Sequence, residues 1–109
     1  MITADQIVLG KAIAEQASQK YFQEQLNGQD QFACGFAWVD VYVDRTNSKQ
    51  AKELIKAGFR KDYKPKCLSM WNPGGLGCQN IDTKEEGAYA MANYLTSLGL
   101  RAYAGSRLD

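Results

Sequence analysis

The sequence predicts a small two-layer sandwich of the α+β or α/β class, with three to four strands and three helices in the order α-β-α-β-α-β. Three observations predict it. Apolar residues recur at helical spacing in three separated segments. Between the first two lies a stretch whose side chains sort onto two faces with a period of 2. Turn residues punctuate the junctions, so helices and strands alternate and must cover one another.

Thr3, with Gln6 three positions later, reads as a capping box, and Ile7, Ala14, Ala17 and Tyr21 then recur near a 3.6 period. Val8, Leu9, Ile13, Phe22 and Leu26 widen the apolar face, so residues 4–26 are expected as one amphipathic helix, stopped by Asn27-Gly28. From Phe32 to Val43 a strand is expected. Ala33, Gly35, Ala37, Val39, Val41 and Val43 lie on one side, and Phe32, Cys34, Phe36, Trp38, Asp40 and Tyr42 on the other. The small, β-branched side suits a packed helix and is read as the core side.

A second helix is expected over residues 48–57, with Asn47 as N-cap, Leu54 and Ile55 as apolar contacts and Gly58 as its stop. Cys67 to Trp71 reads as a short strand between Lys64-Pro65-Lys66 and the turn Asn72-Pro73-Gly74-Gly75, with Leu76 to Ile81 as a hairpin partner. Strands joined through a helix within one sheet are expected to run parallel. Thr83-Lys84-Glu85-Glu86 opens a third helix whose stripe is Ala88, Met91, Ala92, Leu95 and Leu98. Its Gly87 costs about 1 kcal/mol against alanine. Residues 100–107 close the chain as a strand in which Ala102 and Ala104 alternate with Arg101, Tyr103 and Gly105.

The 109 residues are the length of one globular domain, able to bury roughly 65% of the unfolded chain's surface. Hydrophobic residues at 45% and charged residues at 23% exclude whole-chain disorder. No apolar run long enough to span a membrane exists, and charges from Asp5 to Glu24 break any leader-like stretch, so a cytoplasmic, non-membrane protein is expected. Histidine is absent, which removes the usual general base and the commonest metal ligand. Cys34, Cys67 and Cys78 are odd in number and widely spaced, so reduced thiols are expected rather than a disulfide framework or zinc site, with Cys78 exposed in its glycine-rich loop. That loop lacks a G-K-[ST] ending and a directly following helix, so it is not a nucleotide P-loop. No cofactor and no metal are expected, and an enzyme with a loop thiol ranks behind a binding protein.

Two candidate binding surfaces follow. The first is aromatic: Phe36, Trp38 and Tyr42 of the first strand, joined by Trp71 and Tyr103 and edged by Asp40, Arg101 and Arg107. The same rings would equally serve as the second half of the core, under the first helix. The second surface is basic. Residues 45–66 hold eight basic against two acidic residues, a net of +6, leaving −5 on the rest. Lys49, Lys52 and Lys56 share one helical face. Arg60, Lys61, Lys64 and Lys66 extend the charge with Phe59 and Tyr63 interleaved, a pattern suited to a phosphate backbone or to plain solvation.

By Ala33-Cys34-Gly35-Phe36-Ala37-Trp38-Val39, Ala88-Tyr89-Ala90-Met91-Ala92 and the closing Ala102-Tyr103-Ala104-Gly105-Ser106-Arg107-Leu108-Asp109, the chain resembles small proteins encoded by tailed bacteriophages. The resemblance spans roughly residues 33–109. It implies expression in an infected bacterial cytoplasm and favours a host-interaction or accessory role, and it transfers no residue role. The sequence therefore leads to a non-enzymatic, phage-type protein that binds a macromolecular partner, expected to be a protein, through the aromatic face. The alternative is a nucleic-acid-binding module using segment 45–66. Homo-oligomerisation stays open.

Overall fold

The computed structural model describes all 109 residues. In chain order they form α1 (Ala4–Gln25), β1 (Gly35–Tyr42), α2 (Lys49–Lys56), β2 (Arg60–Lys61), β3 (Cys67–Trp71), α3 (Ile81–Ser97) and β4 (Arg101–Leu108). The four strands make one sheet in the order β2-β3-β1-β4, and every neighbouring pair is antiparallel. The class is α+β.

The strand directions correct one expectation. Cys67–Trp71 runs antiparallel to β1 because the two-residue β2 intervenes, and the chain reverses from β2 into β3. The parallel relation holds one strand further out: β1 and β2 share a direction with β3 between them, and β3 and β4 share a direction with β1 between them. From β1 onward the molecule is thus a pair of interlocked, split βαβ units, with α1 added in front.

The core lies on the side of the sheet that carries the small and β-branched residues. Ala37, Val39 and Val41 of β1 and Val43 just after it pack there with Leu68, Met70 and Ala102, under Ala51 and Leu54 of α2 and Ala88, Met91, Ala92 and Leu95 of α3. Alternation along β1 is what commits it to one face, since a slip of one residue would bury the aromatics instead.

α1 lies against α3, and it buries a narrower stripe than its composition suggests. Ile7, Gly10, Ala14 and Ser18 are enclosed, whereas Val8 and Leu9 are 48% and 54% exposed. Small residues bring the two helices close: a Cβ on Gly10 would lie 2.9 Å from the Tyr94 ring, and one on Gly87 would reach Ser18 Oγ. At that separation a wider apolar face has nothing to pack on.

Several ends move from their expected places. Ser48, not Asn47, caps α2, accepting from the Ala51 N–H, and Ile55 points outward at 42% exposure. Asn80, not the Thr83 box, caps α3: its side-chain oxygen accepts from the Thr83 N–H at 2.8 Å, while its Nδ2 donates to Gln31 O. Consequently the expected strand Leu76 to Ile81 is no hairpin partner: residues 76–80 are a loop, bridged at Cys34–Asn80 and tied by Asp30 to the Gln79 and Asn80 N–H groups, and Ile81 already opens α3. The first strand starts at Gly35 because Phe32, 73% exposed, has a left-handed φ of 69° that breaks extended geometry.

Candidate functional site

No element covers the second face of the sheet. Register places its side chains in rows: Arg107 beside Phe36, then Gly105–Trp38–Trp71, then Tyr103–Asp40–Ser69–Arg60, then Arg101–Tyr42–Cys67. All eight residues of the predicted aromatic surface therefore share one face. Of the two readings left open by the sequence, the open face is the one found: Trp71 is 51% and Tyr103 59% exposed, and α1 packs on the opposite side, over α3.

Local geometry fixes the rings. Gly105 opposes Trp38, and a Cβ there would come within 2.5 Å of the indole Nε1, so only glycine lets this ring lie down across β4. The Trp38 N–H donates to Asp40 Oδ2 at 3.3 Å, and its ring stacks on Trp71 with centroids 4.8 Å apart. Phe36 meets Trp71 edge-on at 6.1 Å, and Tyr42 meets Tyr103 edge-on at 6.0 Å. The Arg107 guanidinium lies 5.5 Å from the Phe36 centroid and 5.9 Å from that of Trp71, with no carboxylate within ion-pair distance.

Asp40 plays a different part from the one expected of a rim residue. It is 7% exposed, and its oxygens are taken by Ser69 Oγ, by Lys64 Nζ at 2.6 Å and by the Trp38 N–H. Lys64 also reaches Asp62 at 3.6 Å. The hydrogen bond to Asp40 pushes the Lys64 ammonium well above the ordinary lysine range, so the lysine stays charged throughout the physiological range. Asp40, Asp62 and Cys67 bring ligand-type atoms within 4.8 Å of one another, and the Lys64 ammonium is the cation that serves both carboxylates. Asp40 is thus a positioning residue for Trp38.

The basic segment does not act as one stripe. Lys49, Lys52 and Lys56 are exposed on α2, on the helical side of the sheet, and Lys56 pairs with Glu53 at 3.4 Å. Lys61 in β2 and Lys66 in the turn before β3 are exposed, and Lys64 is consumed by the two aspartates. Phe59 is a core residue at 1% exposure rather than an interleaved contact, whereas Tyr63 is 92% exposed. Arg60 belongs with the aromatics, because it opposes Ser69 on the open face. Nothing in the local sequence separates Arg60 from its lysine neighbours. Only the pairing of a two-residue strand does so.

Beside Trp71, where β2 stops short and leaves the end of β3 uncovered, an open cleft of about 480 Å³ runs between Arg60, Lys61, Asp62, Met70 and Lys11. The thiols lie elsewhere or are enclosed. Contrary to expectation, Cys78 is 8% exposed, and it is Cys34 that is open to solvent. Burial pushes the Cys78 thiol up, and burial, aided by Asp40, does the same to Cys67. Neither is therefore activated as a thiolate nucleophile.

No family model, curated protein or solved structure matches the chain. No helix is long and apolar enough to cross a membrane.

Proposed function

We propose that the chain is a non-catalytic binding module that holds a macromolecular partner on the open aromatic face of its sheet. The observation that carries this is the exposure of Trp71 and Tyr103, 51% and 59%, on rings whose neighbours are already fixed by stacking and by the Trp38–Asp40 hydrogen bond. Rigid, half-exposed Trp and Tyr with arginine beside them are the residue types that dominate binding energy at interfaces, because they offer large area at low entropic cost. The resemblance to small tailed-phage proteins supports placing the partner in an infected bacterial cell.

Three substitutions test the reading, two on the open face and one in the core. Tyr103→Ala should stay folded and lose partner capture from cell lysate. Val39→Ala, on the fully buried side of the neighbouring strand, should cost about 1 to 3 kcal/mol of stability through lost burial and cavity formation. If Trp71→Ala and Tyr103→Ala both unfold the protein, the rings are core and the surface is abandoned. The second reading, nucleic acid held by segment 45–66, draws on exposed Lys49 and Lys52, which have no acidic partner.

A further inference from the structure

We infer that the partner of the open face is a single-stranded nucleic acid, whose bases stack on Trp71 and Tyr103 and whose phosphates meet Arg60, Arg101 and Arg107. The inference rests on the reading above that this face is a binding surface, and it names the chemistry that the surface takes.

Charge carries the first step. Lys64 bridges Asp40, in the middle of the face, and Asp62, just beyond β2, and balances one of their two charges, so with Asp44 the face carries four cations, Arg60, Lys64, Arg101 and Arg107, against three carboxylates. Arg60 and Arg107 have no acidic partner, and Arg101 has only Asp44 at 3.5 Å, a carboxylate that is 98% exposed and so holds it weakly. The face therefore presents flat rings bordered by uncompensated guanidinium groups at both edges, on β2 and β4. An anionic partner is favoured, and one that also offers flat faces.

Ring geometry carries the second. Trp71 leans on Trp38 with one face, while half of its surface stays open. Tyr103 stands on the far side of β1 and one row along, two strand spacings across and two residues down, roughly 12 Å away. Alternate bases of an extended strand can lie on the two platforms while the backbone passes the edge arginines. A duplex cannot do this, because its bases already stack on one another, and stacking platforms of this kind are sequence-tolerant for the same reason that every base has a π-face. Arg107, held over Phe36 and Trp71, is placed to take a phosphate beside a stacked base.

The test uses the full chain and an oligothymidylate of about 12 nucleotides, within the usual site size of one stacking module. Trp38 and Trp71 are the only tryptophans and both lie on this face, so quenching of intrinsic fluorescence reports contact there, while anisotropy of a labelled oligonucleotide gives the affinity. The expected result is binding at low salt with quenching and with a log–log salt slope of about −2, from three phosphate contacts on a single strand. Arg107→Ala should flatten that slope by about 0.7. Trp71→Ala and Tyr103→Ala should each weaken binding by roughly 5- to 100-fold, and Tyr103→Ala keeps the test alive if Trp71→Ala does not fold. Lys49→Ala/Lys52→Ala/Lys56→Ala should retain the quenching.

Acrylamide quenching of the free protein separates the two levels of the claim. Open rings with no oligonucleotide binding at low salt overturn the nucleic-acid inference and leave the surface to a protein partner. Closed rings overturn the surface itself. Binding that is lost in the triple lysine variant and kept in Trp71→Ala overturns the inference in favour of α2, and equal competition by the annealed duplex overturns it in favour of backbone-only recognition.

Discussion

Gly87→Ala sets two effects of opposite sign against each other. On helix propensity alone the change stabilises by about 1 kcal/mol, since glycine in a helix interior is the poorer residue. The structure predicts the reverse. A Cβ at position 87 would meet Ser18 Oγ, and it would lie 3.0 and 3.1 Å from Cα and N of Gly74. The hydroxyl cannot simply turn away, because it donates to Thr83 O at 2.8 Å in a buried position, a bond worth about 1 kcal/mol net. Nor can Gly74 recede alone, since a Cβ there would strike Ser18 as well: loop, α1 and α3 meet at one point. Displacing backbone in a packed core costs about 1 to 3 kcal/mol. Adding the lost hydrogen bond and subtracting the propensity gain leaves Gly87→Ala destabilising by about 1 to 3 kcal/mol. Urea denaturation followed by far-UV circular dichroism measures it, with the slope held common to both proteins. Ser18→Ala in the same chain should recover part of the loss. A Gly87→Ala protein more stable than the parent would refute the three-way contact and the close α1–α3 packing built on it.

Lys64→Met should destabilise by about 1 to 3 kcal/mol by stranding the nearly buried Asp40 carboxylate, with Lys64's partial exposure keeping the loss below that of a fully buried pair; Asp40→Asn in the same chain should restore much of it in denaturant melts. Glu53 governs part of the acid limb. Its carboxyl accepts from the Ala4 N–H at 2.8 Å, and that bond, followed by the Lys56 charge, holds it below the usual range. A group whose folded pKa is depressed contributes stability that is present above its unfolded value, about 4.3, and is lost as pH falls through the folded one. Glu53→Gln should therefore reduce stability at neutral pH and flatten its dependence between about pH 5 and 3. An unchanged acid limb would contradict the Ala4–Glu53 tie between α1 and α2.

The parts of this architecture that were legible in the sequence are those written in local periodicity. Ala37, Val39 and Val41 against Phe36, Trp38 and Tyr42 sort the first strand into a small core side and an aromatic side without any tertiary information, and the same alternation puts Tyr103 and Arg101 opposite Ala102 and Ala104. What was hidden depends on partners distant in sequence. Arg60–Lys61 carries no periodic signal, because two residues make a strand only by pairing with Leu68 and Ser69, and this hidden strand is what turns β3 antiparallel to β1. Lys64 reads as one of eight cations until a fold brings Asp40, 24 residues away, within 2.6 Å of it. The open face itself was undecidable from composition, since aromatics suit a core as well as a surface. What decides it is that α1 spends its narrow stripe of small residues on α3.

Acrylamide quenching of tryptophan fluorescence in the free, folded protein tests the central claim most directly, because both tryptophans lie on the face in question. Trp71→Phe isolates Trp38, so the two indoles are read separately. Trp71, half exposed, should be quenched at a substantial fraction of the rate found in the urea-unfolded chain. Trp38, flattened over Gly105 and covered on one side by Trp71, should be quenched less in the parent and more in Trp71→Ala. Native protein in which neither indole is accessible, with quenching appearing only on unfolding, would show the face to be buried and would contradict the account.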